Sequence, residues 1–293
     1  MEEIMKKLEK AVKSAAGEEY EVGICETRKN NGVILKQVSI RRPEKNAVQK
    51  LHINEILEMI ALGRAEVDEA ADLIVKTCRQ HEQEAENLER MTRGLSKSEI
   101  FKRVTGQVVN KMSNARMLME APYKTVLDMA LVYRVMLQES EYGIASFLVS
   151  HALCDRYNIS CEELYNAAAA NMTMEGFTAH TMESMLAEMG SLSDGMPADA
   201  CPMLVITNNR RLYGAAVMAH PEYFENLSVK MDSDLYILPS SIHEVIVVPA
   251  KGIDPGELRK MVIEVNESEL DLEEFLSNNV YRYSRKTGEI AVV

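Results

Sequence analysis

Twice in the C-terminal half, two short apolar runs flank a polar turn and are followed directly by a helix opened by proline. Met203–Thr207, Asn208-Asn209-Arg210-Arg211 and Leu212–Met218 lead into His220-Pro221-Glu222, and Leu235–Leu238, Pro239–Ile242 and Val245–Val248 lead into Asp254-Pro255-Gly256-Glu257. The two helix openings lie 34 residues apart. Runs this short, joined by turns this tight, pair antiparallel, because a parallel pair needs a crossover of a dozen or more residues. Proline suits the first helical position, where its missing N–H has no partner to lose. The expected fold class is therefore α+β: a mostly antiparallel sheet built from hairpin-helix units, with helices on one face. Val280–Tyr283, the turn at Lys286-Thr287-Gly288 and Ile290–Val293 predict a closing hairpin.

The N-terminal part has a different pattern. Residues 2–15 place Ile4, Leu8, Ala11, Val12 and Ala15 on one helical face. Tyr20–Arg28 and Val33–Arg41 read as strands joined through Asn30-Asn31-Gly32, and Asn-Gly suits a hairpin because both residues accept positive φ. After Pro43 a helical patch carries Leu51, Ile53, Ile56, Leu57 and Ile60 and stops at Gly63. Residues 65–92 then repeat Val67, Ala71, Ile74, Cys78, His81, Ala85 and Leu88 at alternating four- and three-residue steps, predicting one long amphipathic helix of about 40 Å. Thr92–Ser98 reads as a connection, which gives an N-terminal α+β region over 1–98 and a C-terminal α+β domain over 99–293. Within the latter, Val104–Val109 and Gly143–Ser150 read as strands. Thr125–Leu137 is strand-like but too uniformly apolar for its period to decide. Ser160 and Glu163 form a capping box for a helix over Cys161–Met174, and Gly190–Pro202 reads as a loop.

Charge and cysteine usage exclude several classes. A net charge of −12 and a pI near 5.1 oppose general affinity for nucleic-acid backbones. Residues 151–200 hold one basic residue against eight acids, a net of −7, which marks either a solvated face or a docking surface. The five cysteines are scattered with no metal-knuckle or redox spacing, as expected of reduced thiols in a cytoplasm. The N-terminus carries charges where a secretory signal needs an apolar core, and no apolar run reaches bilayer-spanning length.

Catalytic motifs are incomplete. Gly190-Ser-Leu-Ser-Asp-Gly195 lacks a serine flanked by glycines at nucleophile-elbow spacing, and His81-Glu-Gln-Glu-Ala85 has alanine where a second zinc histidine belongs. The best metal candidates are His151, Cys154 and Cys161, needing a fourth ligand such as Cys201 or His180. The best catalytic candidates are Ser241, His243 and Glu244. A strand starting at His243 puts His243 and Glu244 on opposite faces, so they form no self-contained triad. No cofactor is expected.

Leu235-Tyr-Ile-Leu-Pro-Ser-Ser-Ile-His-Glu-Val-Ile-Val-Val-Pro-Ala250, with Met261–Asn266 and Asn279–Tyr283, resembles a bacterial family known only as a domain of unknown function. Cys201–Asn208 and Tyr213–Ala216 share the likeness, and Asn110–Ala169 does so more loosely. The resemblance implies a bacterial cytoplasmic protein and brings no activity with it. The expected role is protein binding rather than catalysis, to a partner or a second copy, through residues 65–92 or the acidic segment 151–200. The alternatives are a hydrolase with His243 as general base, and nucleic-acid binding by the basic hairpin region of Lys36, Arg41, Arg42, Lys45 and Lys50.

Overall fold

A computed structural model of the chain describes residues 1–140, 143–182, 184–185 and 203–293. The fold is α+β, and the chain divides into two compact units, residues 1–96 with 137–145 and residues 97–136 with 146–293. Among the described residues no helix is long and apolar enough to cross a membrane. The predicted loop Gly190–Pro202, with Cys201 and the acids Glu183 and Glu188, lies outside the described residues.

In the first unit, α1 (Glu2–Ala16) buries Leu8, Val12 and Ala16, the face its periodicity marks. Strands β1 (Glu21–Arg28), β2 (Ile34–Arg41) and β3 (Gln49–His52) form an antiparallel sheet in that order. The β1–β2 hairpin turns through Asn31 at φ 56° and Gly32 at φ 75°, and Val33 N–H donates to the Asn30 carbonyl. Two consecutive positive φ values give the turn the twist that matches the strands, which is why Asn-Gly stands there. The predicted helix start at Leu51 needs correction: Leu51 belongs to β3, and α2 (Asn54–Ala61) begins only after Ile53. Gly63, at φ 66°, ends the turn that follows.

The long helix also needs correction. It is two helices, α3 (Val67–Gln80) and α4 (Glu82–Arg93), parted at His81 with φ −101° and ψ 9°. The His81 N–H is shared between the Thr77 and Cys78 carbonyls, and the acids Glu82 and Glu84 open the next helix, where its dipole favours them. The core ends at the same place: α3 buries Ala70, Ala71, Ile74, Val75 and Cys78 against α1 and the sheet, whereas α4 buries nothing.

In the second unit, α5 (Lys97–Arg103) leads into β4 (Val104–Asn110), and α6 (Ala115–Leu118) into β5 (Tyr123–Val126) and β6 (Met129–Ser140). These strands form a sheet in the order β4-β6-β5, with β7 (Gly143–Leu148) also pairing β6 and residues 137–145 counted with the first unit; the ambiguous apolar run Thr125–Leu137 is the end of β5, a turn at Leu127-Asp128 and most of β6. Helix α7 (His151–Tyr157) and helix α8 (Cys161–Glu175) follow, α8 opened by the Ser160–Glu163 capping box. The second sheet runs β13-β12-β10-β11-β9-β8, from β8 (Phe177–Thr181), β9 (Leu204–Asn208), β10 (Leu235–Pro239), β11 (Val245–Pro249), β12 (Tyr281–Ser284) and β13 (Glu289–Val292). Its helices are α9 (Pro221–Lys230) and α10 (Pro255–Ser268), each with proline in its first turn.

Only the second of the two expected hairpin-helix units has both strands. Leu212–Met218 is not a strand: Arg211 and Tyr213 are left-handed, at φ 54° and 61°, and Gly214–Ala219 is a buried 3-10 segment. A partly buried carboxylate knits distant parts of this unit together. Asp128 accepts hydrogen bonds from Ser277 Oγ (3.1 Å), Asn279 Nδ2 (2.8 Å) and Tyr281 OH (2.7 Å). Burial, first of all, drives the Tyr281 phenol far above its ordinary range.

These packing differences predict unequal costs. Ile74→Ala, at a fully buried site of α3, is expected to lose about 2–5 kcal/mol. Leu88→Ala, on the uncovered α4, should lose about 1 kcal/mol or less. Urea midpoints of the two variants measure the difference.

Candidate functional site

The catalytic candidates fall in the turn between β10 and β11. His243 is not the first residue of the strand, which begins at Val245, so pleat alternation does not set its direction. Ser241 Oγ accepts the His243 N–H at 2.9 Å, and Thr207 Oγ1 donates to the His243 carbonyl at 2.9 Å. Ser240 Oγ donates to the Glu244 carboxylate at 3.3 Å. Both serines and the glutamate therefore serve the turn itself, in the manner of short side chains that replace backbone partners.

The imidazole is held from a direction that the local sequence does not reveal. Tyr213 N–H donates to Nδ1 at 3.2 Å, and the Tyr213 ring stacks on the imidazole at 5.7 Å and 15°. The Arg134 guanidinium lies 5.7 Å from the other ring centroid of that stack, Tyr213. The left-handed backbone that aims this N–H is braced by Asn208, whose amide donates to the Leu212 carbonyl at 2.7 Å and accepts the Leu212 N–H at 3.1 Å. Gly214 is required next to it, since a Cβ there would fall on Thr207 Oγ1 and the His243 carbonyl.

This arrangement fixes the chemistry of the ring. With Nδ1 accepting, the neutral imidazole carries its proton on Nε2, which faces Glu274 Oε1 at 3.6 Å. That distance is a contact rather than a hydrogen bond. Burial holds the His243 pKa below the ordinary histidine value, against the opposing pull of Glu274 and Glu244. The ring can donate from Nε2, but its one lone pair is already engaged, so it is not presented as a general base. Glu274, Tyr213 and Arg134 come from separate segments, and no spacing rule points from His243 to them.

The metal candidates are dispersed over two helix starts. His151 is exposed at the first position of α7, Cys154 is buried in the same helix, and Cys161 is exposed at the first position of α8. Among the described residues no three His, Cys, Asp or Glu side chains are grouped to hold a metal ion. His180, the other proposed ligand, meets Thr178 Oγ1 at 3.0 Å through Nε2. In the acidic segment, Glu163 is occupied by its capping box and by Lys97 at 2.8 Å.

The first unit carries a more open feature. Between β3 and the α3–α4 helices runs a groove of about 520 Å³, lined by Val48, Gln49, Leu51, Cys78, Ala85 and Leu88. Its apolar floor is accessible: Val48 is 42% exposed, and no residue of α4 is buried. Burial pushes the Cys78 thiol up to about 11, so the cysteine in the wall is a packed side chain and not a nucleophile. Gln49 Oε1 is buried with no hydrogen-bond partner.

Charge holds α4 at the far side of this groove. Glu82 accepts from Arg42 Nε at 2.8 Å and Lys45 Nζ at 3.1 Å, and Lys45 also pairs with Glu86. Burial would raise the Glu82 pKa, but the bonds from Lys45 and Arg42 outweigh it and hold the carboxyl below its usual value. Arg41 pairs with Glu21 at 2.6 Å, so three of the five basic residues near the hairpin are matched by carboxylates of the same unit.

A family model, described as a family of unknown function (DUF5688), matches residues 1–285. No curated protein and no solved structure matches the chain.

His243 gives a pH test with a defined sign. A histidine whose folded pKa lies below its unfolded value stabilises the fold fully above the unfolded value, about 6.5, and loses that contribution as pH falls toward the folded one. His243→Gln should therefore flatten the fall in urea midpoint below about pH 6.5. The His243 ring resonances in NMR should titrate below the ordinary histidine value of about 6.5. Gly214→Ala should lower the midpoint far more than Gly23→Ala, whose added Cβ meets only Ser39 Oγ at an ordinary 3.5 Å.

Proposed function

The chain belongs to the DUF5688 family, and on that footing we propose that it acts by binding a protein through the groove between β3 and α4. The observation that carries this reading is a helix with an apolar stripe and no core beneath it. Ala85 and Leu88 continue the periodicity of α3 but line an open groove instead of packing into the unit. An apolar floor inside a charged rim is the usual anatomy of a protein-recognition patch. The free thiols of Cys25, Cys78, Cys154 and Cys161 support a reducing bacterial cytoplasm as its setting.

Two other readings have less behind them. Hydrolysis by His243 needs a lone pair that Tyr213 already engages. Nucleic-acid binding needs free cationic side chains, and Arg41, Arg42 and Lys45 are in ion pairs.

The test is site-specific photocrosslinking of the full chain in the cells that make it. A photoreactive residue at Leu88 should yield discrete protein adducts that Val48→Glu removes, while one at exposed Leu73 of α3 should not. Equal labelling from both positions, or none from Leu88, would overturn the reading.

A further inference from the structure

Among the described residues strand β3 is the edge of its sheet, and its pairing phase determines what that edge presents. Ile53 N–H donates to the Lys36 carbonyl, and the register pairs Val38 with Leu51 and Ile40 with Gln49. In an antiparallel ladder, bonded and non-bonded pairs alternate, so Gln49, Leu51 and Ile53 spend their backbone groups on β2. Lys50 lies between them, opposite Ser39 in a non-bonded pair, and its N–H and C=O therefore point outward from the sheet. The groove lies alongside this edge, with α4 as its far wall. An edge strand facing a helix across an apolar trough is the geometry in which a peptide adds as one more strand.

Resting on the binding role proposed above, we propose that the groove's occupant is an extended peptide segment of a partner protein that pairs antiparallel with β3 at Lys50. The pattern of that segment follows from the pleat. Its residue bonded opposite Lys50 shares the face of the Lys50 side chain, so an acidic side chain there completes a cross-strand ion pair. Its two neighbours point to the other face, the side on which Gln49 and Leu51 line the groove, and meet Ala85 and Leu88. The preferred core is thus apolar-acidic-apolar. A hydroxyl on one apolar side chain, as in threonine or tyrosine, would supply the donor that Gln49 Oε1 lacks. A second copy of this chain fits poorly, because two β3 strands joined edge to edge at this register set Lys50 against Lys50.

The probe is an array of nonapeptides with a fixed central triplet, offered to the full-length chain, with affinities then read by fluorescence anisotropy. Triplets of the form apolar-Glu-apolar should bind at least tenfold tighter than apolar-Lys-apolar. Lys50→Glu, at an exposed position, should reverse that order, and Gln49→Leu should erase the preference for threonine or tyrosine without abolishing binding. N-methylation of the central residue's backbone, which leaves its side chain intact, should weaken binding at least tenfold. Selected peptides that tolerate N-methylation, or a charge preference that Lys50→Glu leaves unchanged, would overturn strand addition. Absence of peptide binding with Leu88 adducts intact would reject the extended-segment occupant and leave the groove's binding role standing, whereas loss of both would reject each. Sedimentation showing a dimer that Lys50→Glu alters would overturn the peptide in favour of a second copy.

Discussion

The placement of α4 in the N-terminal unit depends on an ion-pair cluster that takes over where the core of α1, α3 and the sheet has ended. Arg42 and Lys45 follow β2, Glu82 and Glu86 lie one turn apart on α4, and the Tyr20 hydroxyl accepts from Arg42 at 2.8 Å. Apolar burial draws surfaces together until water is excluded, whereas charged side chains of this length reach across a gap and hold it. Carboxylates at the first and second turns of α4 also stabilise its N-terminus. Ion pairs at this level of exposure are individually weak, so the cluster depends on several partners converging on Glu82. An α4 attached by charge leaves its apolar stripe facing a trough.

Much of the fold was legible because local chemistry and tertiary packing agree. The Asn31-Gly32 turn, the Ser160–Glu163 box, the proline-opened helices at Pro221 and Pro255 and the β10–β11 hairpin each follow from a few neighbouring residues. Where the reading failed, distant contacts decided. Periodicity runs through His81 without interruption, but the core beneath it stops at Cys78, and a stripe with nothing under it does not keep a helix straight. Leu212–Met218 is as apolar as a strand, yet the chain is turned at Tyr213 by the approach of Thr207 and His243, which no window of adjacent residues contains.

The candidate sites divide in the same way. Ser241, His243 and Glu244 stood out by residue type, and the turn uses all three, but the tautomer of His243 is set by Tyr213 and its charged neighbour is Glu274. Residues 65–92 stood out by pattern, and half of that pattern lines the groove. The other wall escaped notice because Ala47, Val48 and Gln49 are unremarkable in sequence and gain meaning only once β3 is an edge.

Asp128 binds three side chains from residues 277–281, near the other end of the chain. The strand that closes this knot, β12, also separates β10 from the terminal strand β13. On a ribosome, β4 to β6 emerge long before their anchor does, and the β5–β6 turn must wait with a carboxylate whose three partners are not yet made. Contacts of such long sequence separation slow folding and prolong exposure of incomplete sheets. The second unit therefore closes only once residues 277–281 have been made, and a nascent chain halted before Tyr281 would carry a formed first unit and a second one still open.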